Sequence, residues 1–274
     1  CGRSRLGEMT TQGYKMLQPP LLNKDLIHVH VSEEEIGSVF TPTLGIEASS
    51  EVFAKIIENE KIEDSSKFNY WLRKLRREYL SDKKPKQYYS DLDLGEAITN
   101  LANIVDEDCI YTLDAGNHSG WPQRFLNFGR PSRLIGSTCG SMGYGIPAAV
   151  VASILFPNRM VIGFIGDGGF MMSGLELGTA LQYNAKPLIF IFNNQNYGTI
   201  RMHQEREYPG RVFGTDLKNP DFQTLASSFD AFTRRVSKTK DFIPTVEEAL
   251  RSKKLSVIEL VIDKHQLSTR DAFK

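Results

Sequence analysis

Four runs of apolar, β-branched and aromatic residues limit what the later part of this chain can fold into. They are CIYTLD (Cys109–Asp114), MVIGFIG (Met160–Gly166), PLIFIFNN (Pro187–Asn194) and SVIELVID (Ser256–Asp263), separated by helix-length segments. Continuous apolar runs are strands buried on both faces, and their alternation with helices predicts a parallel sheet covered on both sides. The expected fold class is therefore α/β, a doubly wound parallel sheet, running over residues 88–274. The 274 residues, 41% of them hydrophobic, are enough for such a core beside a second unit.

Before it, LIHVHV (Leu26–Val31) alternates as a half-buried strand does, and Ser32 in SEEEIGSVF offers a helix cap. SSEVFAKIIENE is a second amphipathic stretch, so residues 1–60 read as the last strands and helix of another α/β domain. Residues 61–87 change to charge and aromatics and read as a linker with an exposed, charged helix. Its basic run, Arg73 to Arg77, reads as a solvated face. The first residues, CGRSRLGEMTTQGY, contain no initiator methionine at position 1, and the chain is expected to be part of something longer.

Lys plus Arg and Asp plus Glu number 33 each, which removes the electrostatic basis for binding nucleic acid or an anionic membrane. No apolar run has the length of a membrane span. Cys1, Cys109 and Cys139 form no Cys-x-x-Cys, so neither a disulfide framework nor a zinc site is indicated, and a cytoplasmic location is expected.

In an open parallel sheet, ligands bind beyond the carboxyl ends of the strands. Asp167 follows one strand and Asn194 follows the next. SGLELGTALQYN between them reads as a crossover helix, with Ser173 and Glu176 at capping-box spacing. Two residues far apart in sequence are thus expected at one sheet edge. A carboxylate and an amide carbonyl are hard oxygen ligands suited to Mg2+, which completes its shell with water and phosphate. Gly166, Gly168 and Gly169 leave backbone open to a phosphate, and no Walker loop exists in the chain.

Gly166-Asp167-Gly168 followed by Asn193-Asn194 resembles the thiamine diphosphate motif, and its surroundings resemble the acetolactate synthase and pyruvate decarboxylase superfamily. The resemblance covers nearly the whole chain, taking residues 1–60 as the tail of the family's central domain. It implies that Asp167 and Asn194 ligate Mg2+ through their side chains and Asn196 through its main-chain carbonyl. It places Asn117 and His118, in DAGNHSGW, on the diphosphate together with Gly169. In GSTCGSMGYGIPAA it implies that the Gly140 carbonyl receives the cofactor's amino group and that Met142 holds the cofactor bent. In the family, a glutamate essential to the chemistry lies on an N-terminal domain of a partner subunit, a domain expected to be missing from these 274 residues.

The implied activity is that of a 2-oxo acid decarboxylase or carboligase with thiamine diphosphate and Mg2+, assembled as a homodimer or tetramer. The rival expectation is a non-catalytic or split-subunit cofactor-binding protein that needs a separate chain. The sequence departs from acetolactate synthases at Met202-His203-Gln204, where relatives carry Gln-Trp-Gln. His203 is accordingly a candidate catalytic or substrate-selecting residue. It departs again at Met9, where flavin-binding relatives carry arginine, so FAD is not expected. His28 and His30, with no third ligand in view, are read as structural, and Cys139 as packed.

Overall fold

The computed structural model describes residues 6–7, 11, 13–20, 22–60, 66–85, 90–129 and 131–269. Cys1 and Met9, on which two expectations rest, lie outside the described residues. The chain divides into two compact units, Cys1–Lys74 and Leu75–Lys274.

In the first unit, β1 (Ile27–His30) and β2 (Leu44–Glu47) pair in parallel, Ile27 beside Leu44 and His30 beside Glu47. Helix α1 (Ser50–Glu58) is capped by Ser49, whose side chain accepts from Val52 N at 3.2 Å. Ser32 does not cap a helix in this way. It precedes a single 3-10 turn, Glu33–Glu35, and makes no side-chain cap bond; its own N–H donates to His30 Nδ1 at 3.0 Å instead. Helix α2 (Ser66–Asp82) contains the division between the units and exposes Arg73 to Arg77 along with Trp71 and Tyr79.

The second unit continues through α3 (Leu94–Leu101), β3 (Ile110–Leu113), α4 (Gly120–Phe125), β4 (Arg133–Gly136), α5 (Gly145–Leu155) and β5 (Val161–Gly166). It then runs through α6 (Asp167–Ser173), α7 (Leu177–Gln182), β6 (Leu188–Asn193), α8 (Gly198–Glu207), α9 (Phe222–Ser227), β7 (Phe232–Val236), α10 (Thr239–Ser252) and β8 (Ser256–Val261). The six strands form one sheet in the order β4-β3-β5-β6-β8-β7, and every pairing is parallel. All four apolar runs are strands of this sheet. The two strands not read from the sequence, β4 and β7, are its edges.

Alternate residues of β6 show why the sheet is wound on both sides. Leu188, Phe190 and Phe192 join a core with α3, α4 and α10, in which Phe190 stacks between Phe164 at 5.6 Å and Phe242 at 5.4 Å. Ile189 and Ile191 point the other way, into a core with α5, α7 and α9. Each of these fully buried side chains stabilises the fold by about 1.5–3 kcal/mol relative to exposure. Asp93 fixes the start of α3 by accepting from Glu96 N at 3.0 Å.

The crossover from β5 to β6 departs from the expected single capped helix. Helix α6 begins at Asp167, straight from the strand, and a 3-10 turn at Gly174–Glu176 separates it from α7. Ser173 makes no cap bond and its buried Oγ has no partner, while Glu176 accepts from Thr179 Oγ1 at 2.7 Å. The capping-box spacing is present without the capping box, because the chain is already helical before Ser173. Among the described residues, no helix is long and apolar enough to cross a membrane.

Candidate functional site

The sheet order locates a crevice. From β3 the chain moves to one side to form β4, then returns past β3 to form β5 on the other side, so β3 and β5 flank the switch in winding direction. Loops leaving two such strands diverge, and the gap between them is where ligands bind. A cavity lies there. It is lined by Asn117 and His118 after β3, Gly166 to Gly169 at the end of β5 and just beyond it, Asn194 and Asn196 after β6, and Met142 before α5. Nine of the residues singled out by sequence thus meet in one place.

Asp167 is 2% exposed and tied on both oxygens. Its Oδ1 accepts from Gly168 N at 2.9 Å, and its Oδ2 accepts from Gln195 N and from Asn219 Nδ2, both at 2.8 Å. Burial nevertheless raises its pKa above the usual carboxylate value, outweighing these three donors. A buried carboxylate in that state favours a cation beside it. The bond to Gln195 also joins the β5 and β6 ends directly. Gln195 adopts a left-handed φ of 55°, which turns the loop between Asn194 and Asn196 back on itself. Asn194 Oδ1 accepts from Asn196 N at 3.1 Å, and the Asn194 carbonyl accepts from Asn196 Nδ2 at 2.9 Å.

A second layer holds this loop. Asn193 donates to Glu259 Oε1 at 2.6 Å and accepts from Asn219 Nδ2 at 3.0 Å. Glu259, 3% exposed on β8, also receives Arg235 Nε at 2.7 Å. Asn219 and Glu259 carry no motif of their own, and only the fold brings them to the asparagines.

On the β3 side, Asn117 Nδ2 donates to the Leu267 carbonyl at 2.8 Å, and its N–H donates to Thr199 Oγ1 at 3.0 Å. His118 Nε2 is buried without a partner. Burial lowers its pKa to about 4, against the opposing pull of the Asp114 carboxylate, so the imidazole is neutral near pH 7. Asp114 Oδ1 accepts from Tyr144 N at 2.9 Å and Gly145 N at 3.2 Å, which fixes the start of α5 and the Met142 loop ahead of it.

The glycines after β5 serve packing as well as access. A Cβ on Gly169 would lie 1.7 Å from Asp114 Oδ2, and one on Gly168 would lie 2.6 Å from the Tyr197 ring. Because both N–H donors anchor Asp114, Gly169→Ala is expected to destabilise the protein by about 1–3 kcal/mol, measurable by urea denaturation. Wild-type stability would show that the carboxylate swings away freely.

Two sequence candidates stand outside the cavity lining. Gly140 is exposed, with the left-handed φ of 70° that favours glycine. His203 is exposed on α8, and its neighbour Met202 takes the inward position, 3.3 Å from Asn117 Nδ2. Cys139 is not packed as expected. It is exposed between Ser137 and Ser141, whose hydroxyls lie at 3.3 and 2.9 Å and lower its pKa. His28 and His30 have rings 6.3 Å apart, and no group of three or more His, Cys, Asp or Glu among the described residues is placed to hold a metal. A metal at the crevice would therefore rest on Asp167 and neutral oxygens.

The chemistry of the cavity fits a diphosphate held through a divalent cation. One buried carboxylate, amide oxygens and a neutral imidazole with an unpartnered nitrogen supply both cation ligands and an anion donor. Comparison with known proteins bears on the diphosphate. The family model described as thiamine pyrophosphate enzyme, C-terminal TPP binding domain, matches residues 114–260. The chain is 29% identical to the acetolactate synthase large subunit of Cyanidium caldarium, over 88% of this chain and 42% of that protein. It is 30% identical to the mitochondrial acetolactate synthase of Schizosaccharomyces pombe, over 86% and 37%. For the acetolactate synthase large subunit of Corynebacterium glutamicum the identity is 31%, over 82% and 38%. The chain spans about two fifths of the length of these curated relatives. With the motif, the switch-point cavity and a match over more than half its length, the chain belongs to the thiamine pyrophosphate enzyme family through that family's C-terminal TPP-binding domain.

Proposed function

We propose that the whole protein is a thiamine diphosphate- and Mg2+-dependent carboligase or decarboxylase of 2-oxo acids, resembling acetolactate synthase, and that this chain supplies the metal and diphosphate side of its site. The observation that carries the reading is the convergence of Asp167, Asn194, Asn196 and His118 on one cavity at the sheet's switch point. In this reading residues 88–274 are the cofactor domain, 61–87 the link and 1–60 the tail of the central domain. The reading assigns no role to a flavin, and its location for the protein is the cytoplasm.

When bound, the cofactor would supply a nucleophilic carbon and then an electron sink for a 2-oxo acid. The chain's own side chains bind and orient. Asp167 supplies the negative charge for Mg2+, with oxygens from Asn194 and the Asn196 main chain beside it. His118, neutral through burial, offers a hydrogen bond without adding charge, so neutralising the diphosphate falls to the metal. Gly166, Gly168 and Gly169 present main chain. Met142, on the loop tied to Asp114 through Tyr144, sets the cofactor's shape, with the Gly140 carbonyl as its partner.

Assembly with a second copy is part of the proposal. Met171, Met172 and Leu175, just beyond Asp167, are 53%, 55% and 75% exposed, an apolar rim suited to a subunit contact. His203 then selects substrate from the exposed side of α8. The test is a panel of 2-oxo acids supplied to the full-length protein, with and without an aldehyde acceptor. Carbon dioxide release is expected, with a ligated product when an acceptor is present. No turnover of any 2-oxo acid would overturn the donor class.

A further inference from the structure

The cavity contains more unpartnered polar groups than His118. Trp121 and Gln266 are among its lining residues, and Trp121 Nε1 and both amide atoms of Gln266 are buried and have no hydrogen-bond partner. Trp121 is 2% exposed and Gln266 is 5% exposed.

They come from opposite ends of the cofactor-binding unit. Trp121 lies in the first turn of α4, and Gln266 lies on the segment that follows β8. Main-chain bonds fasten that segment at the cavity. The Leu267 carbonyl accepts from Asn117 Nδ2 at 2.8 Å, the Thr269 carbonyl accepts from Arg124 Nη1 at 2.6 Å, and Gln266 N donates to the Asp263 carbonyl at 2.9 Å. Neighbouring groups therefore hold Gln266 in place and leave its side-chain amide unused.

A buried amide or indole N–H without a partner is left with an uncompensated loss of its hydration. A fold that retains two of them in residues lining one cavity spends stability where a ligand would repay it. Indole N–H is a donor only, and an amide NH2 offers two donors. Such a set suits phosphate oxygens.

We propose that Gln266 and Trp121 form an additional donor wall for the diphosphate, beside His118 and the turn after β5. The inference rests on the thiamine diphosphate reading above. It makes the segment after β8 part of the cofactor site.

Calorimetric titration of the full-length protein with thiamine diphosphate, and separately with thiamine, in the presence of Mg2+ tests it. Gln266→Leu and Trp121→Phe remove the donors while keeping most of the volume. Each is expected to weaken thiamine diphosphate binding about tenfold and to leave thiamine binding unchanged. Because Gln266→Leu removes an unsatisfied buried amide, its ligand-free melting temperature should equal or exceed that of the wild type. Gln266→Glu should weaken diphosphate binding further by charge repulsion.

Wild-type affinity in both Gln266→Leu and Trp121→Phe would overturn the inference and assign the orphaned donors to a bound water. Equal losses for thiamine and thiamine diphosphate, with a lowered ligand-free melting temperature, would overturn it in favour of a packing role. Failure of the wild-type protein to bind thiamine diphosphate would instead overturn the cofactor reading itself, an outcome the variants do not share.

Discussion

Asp167→Ala is expected to abolish Mg2+-dependent binding of thiamine diphosphate, weakening it by more than the roughly 10–100-fold that follows loss of an outer partner of a metal ligand. Among the described residues Asp167 is the only carboxylate lining the cavity, and none of the other lining side chains described supplies negative charge to a cation. Asn219→Ala provides the internal scale. It removes a donor to Asp167 Oδ2 and should fall within that 10–100-fold range. The ligand-free Asp167→Ala protein should lose about 1–3 kcal/mol, because Gly168 N, Gln195 N and Asn219 Nδ2 lose their shared acceptor. Calorimetry with and without Mg2+, at a temperature where the variant remains folded, separates the two effects. Wild-type affinity in Asp167→Ala would sink the metal assignment.

The parts of this protein legible in its sequence are those where one physical demand dominates. Strands β3, β5, β6 and β8 lie inside the sheet, so apart from residues such as Thr112 and Glu259 they are apolar and stood out. The edge strands Arg133–Gly136 and Phe232–Val236 keep one side open and carry arginines, which removes the pattern. Ser173 and Glu176 misled for the opposite reason. The spacing of a capping box says nothing about whether the chain is already helical, and Asp167 starts the helix earlier.

The site divides along the same line. Asp167 and Asn194 could be placed together because consecutive parallel strands bring their ends to one edge. Gln266, Trp121, Asn219 and Glu259 could not, since their neighbours in space are remote in sequence. The glycines after β5 were assigned to ligand access, yet Gly168 and Gly169 also admit the side chains of Tyr197 and Asp114. One residue type met two demands, and the sequence displayed only that it was glycine.

Arg235→Ala tests whether the layer behind the asparagines matters to the cavity. Glu259 is a buried carboxylate whose charge is met by Arg235 Nε at 2.7 Å and by Asn193 Nδ2 at 2.6 Å. Removing the arginine leaves the charge with one neutral donor. For a fully buried pair that loss costs about 3–5 kcal/mol, but the Arg235 side chain is 43% exposed, and solvent screening reduces the expected cost to about 2–3 kcal/mol. The double variant Arg235→Ala with Glu259→Gln should recover most of it, because the neutral amide still offers Asn193 an oxygen and leaves no unpaired charge. Asn193 connects this pair to the metal loop through Gln195 N at 3.2 Å and Asn219 Nδ2 at 3.0 Å. The single variant should therefore also bind Mg2+ and thiamine diphosphate about tenfold more weakly, with partial recovery in the double variant. If urea denaturation shows the stability loss while the affinity stays at the wild-type value, the ion pair supports the sheet alone and the loop geometry is set by Asp167.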